Sequence, residues 1–278
     1  MNGITDKEFN NIREYAKKSF GINLSNEKKT LVFSRLNSVI KKLGLNNFDE
    51  YYNYLKNDKT GEAVKVFMDR LTTNHTYFMR ETDHFDYFYQ TVLPDIEKKY
   101  QDKKDIRVWC GGCSSGEEAY TLQILLSEYF ENKPGWNIDL LATDISTSVL
   151  VKASKGVYSK ESLEAMDKKW IKKYLREYDS ENMVFKDDIK RRIIFRRFNF
   201  MDDKFSFKQK LHVIFCRNVM IYFDNQTREK VVSKFYDCTI DEGYLFIGHS
   251  ESLSNTSSNY KYIMPAVYKK HKTLGTRR

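Results

Sequence analysis

The run Ile106-Arg-Val-Trp-Cys-Gly-Gly-Cys-Ser-Ser-Gly-Glu-Glu-Ala-Tyr120 constrains the fold more than any other part of the chain. It reads as a β-strand from Ile106 to Cys110, a glycine turn, and a helix that opens on two carboxylates. A strand feeding a helix N-terminus through Gly111, Gly112 and Gly116 is the way α/β folds bring backbone close to a bound cofactor. Glu117 and Glu118 narrow the choice of cofactor. A pyrophosphate would be repelled by two carboxylates where dinucleotide folds place phosphate, whereas a cationic ligand would be attracted. S-adenosylmethionine, with its ammonium and sulfonium, is such a ligand. Acids in a first helical turn also simply complement the helix dipole, so the motif raises this cofactor without settling it.

Composition bounds the rest. A chain of 278 residues with 41% hydrophobic and 31% charged residues can bury a substantial core as one large or two smaller domains. No apolar run approaches the roughly 20 residues that span a bilayer, and the start lacks the layout of a signal peptide, so a cytoplasmic location is expected. The formal charge of +9 is spread along the chain, with 13 Lys+Arg against 9 Asp+Glu in residues 1–70. That favours an acidic partner: nucleic acid, anionic membrane or an acidic protein surface. The cysteines are Cys110, Cys113, Cys216 and Cys238. Strand-CxxC-helix is also the thioredoxin layout, but Pro94, Pro134 and Pro265 all sit in helix-end or turn-like contexts, not as a cis-proline opposite such a site. No second ligand pair follows for zinc either. Neither redox chemistry nor a metal is expected.

Residues 1 to about 72 read as all-helical. Val32, Phe33, Leu36, Val39, Ile40 and Leu43 share one helical face, and Lys28, Arg35 and Lys42 line its flank at seven-residue spacing. Such a stripe is ordinarily a solvated border. Shorter helices are expected from Phe48 to Leu55 and from about Gly61 to Leu71, then, beyond the connection 72–80, from Thr82 to Tyr100. Strands and helices alternate thereafter: strands at 106–110, 138–143, 192–195, 211–215 and 243–247, and helices at 117–130, 146–155 and 227–236. A final hairpin is expected around Met264-Pro265. This pattern predicts an α/β fold with a mainly parallel, doubly covered sheet. The insert between 143 and 192 reads as a helical piece at 160–174 and a short hairpin at 182–188.

Ligands of such sheets sit beyond the carboxyl ends of the strands. Asp144 ends the second strand, where an acid can accept both ribose hydroxyls of a nucleoside. Asn199 and the run Cys216-Arg217-Asn218 fall at other strand ends. The glycine turn, the paired glutamates and Asp144 together make an S-adenosylmethionine signature.

Leu71-Thr-Thr-Asn-His-Thr-Tyr-Phe-Met-Arg80, Gly112-Cys-Ser-Ser-Gly-Glu-Glu-Ala-Tyr120, Ala142-Thr-Asp-Ile145, Ile214-Phe-Cys-Arg-Asn-Val-Met-Ile-Tyr-Phe-Asp224 and Phe246-Ile-Gly-His-Ser-Glu251 resemble the CheR family of chemoreceptor glutamate methyltransferases. The resemblance runs from the helical N-terminus to about Tyr268. It implies a Rossmann-like class I methyltransferase sheet in residues 74–278, an N-terminal receptor-recognition domain in 1–73 and an inserted β-subdomain at about 175–195. It further implies that Asn74, Thr76 and Arg80 reach the cofactor, that Glu117 or Glu118 holds its ammonium, and that Asp144 holds its ribose. Asn199 with Phe200, and Cys216 with Arg217, would border the adenine and methionine parts. Arg80 and Tyr222 would face the methyl group and the incoming carboxylate. Lys28, Arg35 and Lys42 would lie against the acidic helical bundle of a chemoreceptor, through which alone the protein would meet the membrane.

The residue types suit that chemistry. A substrate glutamate, with an unperturbed pKa near 4.3, is already a nucleophile at neutral pH and needs no general base. The task is to align a carboxylate oxygen with a sulfonium methyl, leaving S-adenosylhomocysteine as product. Arg80 would orient the carboxylate through its forked donors, although an interdomain ion pair is the plainer reading of such an arginine. For Tyr222 the plainer reading is a core aromatic with a satisfied hydroxyl. Some family members carry a Gly-x-Gly turn in the insert and dock a tethering peptide from the receptor C-terminus. Here Arg176-Glu-Tyr-Asp-Ser-Glu-Asn-Met183 lacks glycine, so no tether is expected.

Two other readings compete. The positive charge and the basic end Lys269 to Arg278 suggest a nucleic-acid methyltransferase. Enzymes that methylate flipped bases place an Asn/Asp-Pro-Pro-aromatic run after the fourth strand, where this chain has Arg217-Asn-Val-Met, so nucleic acid is not expected as a partner. A non-catalytic S-adenosylmethionine-binding scaffold would keep the same cofactor residues.

Overall fold

The computed structural model describes residues 3–72, 74–253 and 259–271, so most of the basic end, residues 272–278, lies outside the described residues. Four helices come first: α1 (Asp6–Phe20), α2 (Lys29–Lys42), α3 (Phe48–Asn57) and α4 (Glu62–Leu71). They close around Phe9, Ile12, Ala16, Val32, Leu36, Ile40, Phe48, Tyr51 and Phe67, all buried. The α1 start is set by a capping box, Thr5 and Glu8 each accepting from the other's backbone N–H. The second Glu8 oxygen accepts from the Phe48 N–H at 3.0 Å, which locks the beginning of α3 onto α1.

A long helical segment follows: α5 (Thr82–Tyr87), a π-turn (Phe88–Val92) and α6 (Leu93–Tyr100). Then come β1 (Val108–Gly111), α7 (Glu117–Phe130), β2 (Leu140–Asp144), α8 (Thr147–Lys155), β3 (Val157–Ser159), α9 (Lys168–Tyr174), β4 (Leu175–Glu177), β5 (Asn182–Phe185), α10 (Asp187–Lys190), β6 (Ile193–Arg197), β7 (Leu211–Phe215), α11 (Asn225–Cys238), β8 (Thr239–Phe246), β9 (Tyr260–Met264) and β10 (Val267–Lys270). The main sheet has the order β6-β2-β1-β7-β8-β10-β9. Its first five strands run parallel, and β10 is antiparallel to both β8 and β9. Strand β1 is wholly buried, as a strand covered on both faces must be. The order reverses at β1, with β2 on one side and β7 on the other, which opens the ligand crevice above their carboxyl ends.

The insert differs from its expected form. It is a three-stranded antiparallel sheet, β3-β5-β4, that starts at Val157 and ends at Phe185. The segment 182–188 is therefore not a hairpin of its own. Its first four residues are the central strand, paired on both sides, and Asp187–Lys190 is helical. Nor does the small sheet reach residue 195, because Ile193–Arg197 pairs with β2 in the main sheet. No helix among the described residues is long and apolar enough to cross a membrane.

Candidate cofactor and substrate site

The glycine turn shapes the floor of the crevice. Gly112 has φ +78°, and a Cβ there would stand 2.3 Å from Val219 Cγ2, so only glycine fits. Gly116, at φ +102°, is pressed against Tyr158 and Ala153 in the same way. The Gly112 and Cys113 N–H groups both donate to the Thr143 carbonyl, at 2.7 and 2.9 Å, which ties the turn to the end of β2. Beside it, Asp144 is buried, with Oδ2 accepting from the Ser114 N–H and Oδ1 from the Ser146 N–H, both at 2.9 Å. Burial pushes its pKa up, and these backbone donors pull it back.

A partly open cavity lies over this floor. Of the expected residues, Asn74, Thr76, Arg80, Glu118, Asp144, Asn199, Phe200, Arg217 and Tyr222 line it. Two do not. Glu117 is turned away, with its carboxylate accepting from the Ser115 hydroxyl at 2.8 and 3.0 Å, because successive helical residues diverge by about 100° and only one can face the crevice. Cys216 is fully buried in the packing beneath the cavity, since alternate residues leaving β7 point to opposite sides. The charged wall is an ion-pair chain. Arg217, its side chain 1% exposed, lies 3.1 Å from both Glu81 and Glu118, donates to the Arg80 carbonyl and covers the Phe85 ring. Burial raises the Glu118 pKa and Arg217 opposes the rise. Of the two carboxylates that Arg217 pairs with, Glu118 is the one that lines the cavity, where it can meet a ligand ammonium.

Asn218, noted at a strand end, lines the cavity, whereas sequence reasoning missed Ser114 and the wall supplied by the helical domain, Phe20, Ile22, Met68 and Leu71, and also Glu81, which pairs with Arg217 beside the cavity. Glu81 adjoins Arg80, which was singled out, so position alone could have flagged it. The wall residues look like ordinary core in sequence. Three segments beside the cavity are held in backbone conformations costly for ordinary side chains: Met79 and Glu81 flank Arg80 with φ of 62° and 57°, Ser114 in the glycine turn has φ of 49°, and Asn218 has φ of 58°. Such strain collects where function fixes geometry. Glu251 supplies the restraint for one of them. Its buried carboxylate accepts from the N–H groups of Gly248, Asn218 and Ile221 at 2.6, 3.0 and 3.1 Å, clamping the loop that carries Asn218 and Tyr222.

Arg80 is half-buried, donating to the His75 carbonyl at 3.0 Å with its guanidinium over the Tyr77 ring. The Asn199 amide donates to the Ser19 carbonyl at 2.8 Å, so it joins the sheet to the end of α1. The stripe divides, and Lys28 falls outside α2, in the 3-10 turn Asn26–Lys28 before it. Lys42 is exposed and Lys28 half-buried, but Arg35 turns its guanidinium to the Leu71 carbonyl at 2.8 Å and the Thr72 carbonyl at 3.5 Å. Among the described residues, one trio has metal-ligand atoms within 4.8 Å of one another, Glu81, His84 and His249. Arg217 already engages that glutamate, and its charge opposes a cation there. Burial pushes the Cys110 and Cys113 thiols well up, which leaves them protonated and poor nucleophiles at neutral pH.

Two family models match the chain: the all-alpha domain of CheR methyltransferases over residues 7–72, and their SAM binding domain over residues 74–268. A chemotaxis protein methyltransferase of Borreliella burgdorferi is 42% identical, covering 96% of this chain and 95% of that protein. Chemotaxis protein methyltransferase 2 of Vibrio cholerae is 35% identical over 92% of this chain and 88% of its own length. The chemotaxis protein methyltransferase of Escherichia coli is 30% identical over 95% and 91%.

Proposed function

The chain belongs to the CheR family of S-adenosylmethionine-dependent chemotaxis methyltransferases, and from that premise we propose that it esterifies glutamate side chains of chemoreceptors in the cytoplasm. One observation carries the reading: a single cavity brings together Glu118, Asp144, Arg80 and Tyr222 from four separate stretches of sequence. S-adenosylmethionine supplies an electrophilic methyl on a sulfonium that leaves as a neutral thioether.

The residues present fit that cofactor. Glu118 takes the ammonium, Asp144 keeps lone pairs for the ribose hydroxyls, and Asn199 and Phe200 border the adenine, while Arg217 sets the position of Glu118. Asn74 and Thr76 close the cavity from the interdomain segment. Arg80 steers the incoming glutamate carboxylate and, with Tyr222, holds one oxygen in line with the methyl. No base is required, because the nucleophile is ionised at neutral pH.

Lys28 and Lys42 offer charge to an acidic helical bundle, and Arg35 stands between them. The turn of the insert supports a reading without a peptide tether. It is drawn tight by Asp179, which accepts from the Glu181 and Asn182 N–H groups at 2.9 and 2.8 Å, with no glycine to let a peptide backbone approach. Micromolar binding of receptor C-terminal peptides at the insert would refute that part. For the whole reading, purified protein is incubated with methyl-labelled cofactor and receptor-containing membranes. Base-labile label on receptor bands is expected; label on nucleic acid, or none on any protein despite cofactor binding, would overturn it.

A further inference from the structure

Arg35 lies on the helix expected to meet the receptor, yet its guanidinium donates to the carbonyls of Leu71 and Thr72, which both line the cofactor cavity. Those carbonyls open the connection that carries Asn74, Thr76 and Arg80. The same connection is gripped twice more. The Ser114 hydroxyl donates to the Asn74 carbonyl at 3.1 Å, and Arg217 donates to the Arg80 carbonyl. Ser114 belongs to the glycine turn and Arg217 to the end of β7, so the connection hangs between the helical domain and the sheet. We propose that Arg35 is a positioning residue for the cofactor site: it fixes where the connection leaves α4, and through it the placement of Asn74, Thr76 and Arg80.

Three features make this more than a helix cap. The last carbonyls of a helix need a partner, and one planar guanidinium nitrogen that reaches both supplies a directed one that a lysine ammonium reproduces poorly. The carbonyls it holds belong to residues of the cavity wall. The connection also includes left-handed Met79 and Glu81, a conformation that persists only when its surroundings impose it. Arg35 therefore links the receptor-facing helix to the cofactor, in contrast to Lys28 and Lys42, which offer charge alone.

The inference rests on the cavity being the cofactor site, and the test separates the two. S-adenosylhomocysteine is titrated by calorimetry into the full chain, without receptor, for wild type, Arg35→Ala and Arg35→Lys, well below each melting temperature. We expect Arg35→Ala to bind about 3- to 10-fold more weakly and Arg35→Lys to lie between, with faster amide exchange at residues 74–80 in both. A cap that only stabilises the fold would lower the melting temperature and leave the dissociation constant alone. Wild-type affinity and wild-type exchange at 74–80 in a folded variant would overturn the proposal. If Arg35→Ala does not fold, Arg35→Lys decides it by the same two readings. Failure of the wild-type protein to bind would instead defeat the cofactor reading.

Discussion

Replacing Asp144 with Asn tests the centre of the site at constant shape. A carboxylate has about four lone-pair positions. In Asp144 two take the Ser114 and Ser146 N–H groups, and in the role proposed for it the remainder meet ribose hydroxyls. A hydrogen bond to a charged acceptor contributes about 1.5–3 kcal/mol against about 0.5–1.5 for a neutral one, so two ribose bonds should lose about 2–3 kcal/mol together. At 1.36 kcal/mol per tenfold, that is roughly a 30- to 150-fold rise in the dissociation constants of S-adenosylmethionine and S-adenosylhomocysteine alike. The amide also keeps only one acceptor oxygen, so one buried backbone N–H loses its partner and the unliganded protein should melt several degrees lower. Calorimetry and thermal unfolding read the two effects separately. A lowered melting temperature with dissociation constants within threefold of wild type would show that Asp144 shapes the turn and does not touch the cofactor.

Arg80→Ala should lower kcat at least 100-fold while changing cofactor affinity less than fivefold, since its work is on the incoming carboxylate; equal losses in both would make it a cofactor ligand. Tyr222→Phe should cost about tenfold in kcat, and full activity would return Tyr222 to a packing role. Reversing charge at Lys28 and Lys42 together should raise KM for receptor several-fold, an effect that shrinks as salt screens exposed charges over about 10 Å at 0.1 M; salt-independent kinetics would refute a docking face. Burial holds His84 and His212 neutral in the fold, down at about 4 and about 3, against 6.5 for the free side chain. Below pH 6.5 the unfolded chain binds protons that the folded one refuses, so these two histidines should make stability fall as pH drops from 6.5 towards 4. His212→Gln should make that fall shallower, and an unchanged pH profile of melting would count against the buried neutral pair.

How much could be read beforehand follows from what each feature depends on. Helix α7 and the position of Asp144 came from local rules, a glycine turn and a strand end, and both stand where expected. The choice between Glu117 and Glu118 was not local. Both open the same helix, and only the arrival of Arg217 from β7 and the neighbouring Ser115 hydroxyl sorts them. The insert misled for a related reason, since Asn182–Phe185 pairs with β3, more than twenty residues earlier, as well as with β4. Arg35 followed the spacing of a solvated stripe, but the length of its side chain lets it reach across to the end of α4. Phe20 and Leu71 obey helical periodicity faithfully and still end at the cavity, because periodicity reports which face is covered and not what covers it.

The grip of Glu251 on the amides of Asn218 and Ile221 sets an order of events during synthesis. The loop with Asn218 and Tyr222 is made some thirty residues before the side chain that holds its strained backbone. Until residue 251 has left the ribosome, those amides have water as their partner and left-handed Asn218 lacks its restraint. Helices α1 to α4, the glycine turn and Asp144 are by then long complete. A nascent or truncated chain ending short of Glu251 would thus have Asp144 and the glycine turn in place while the loop of Asn218 and Tyr222 lacked the carboxylate that holds its backbone.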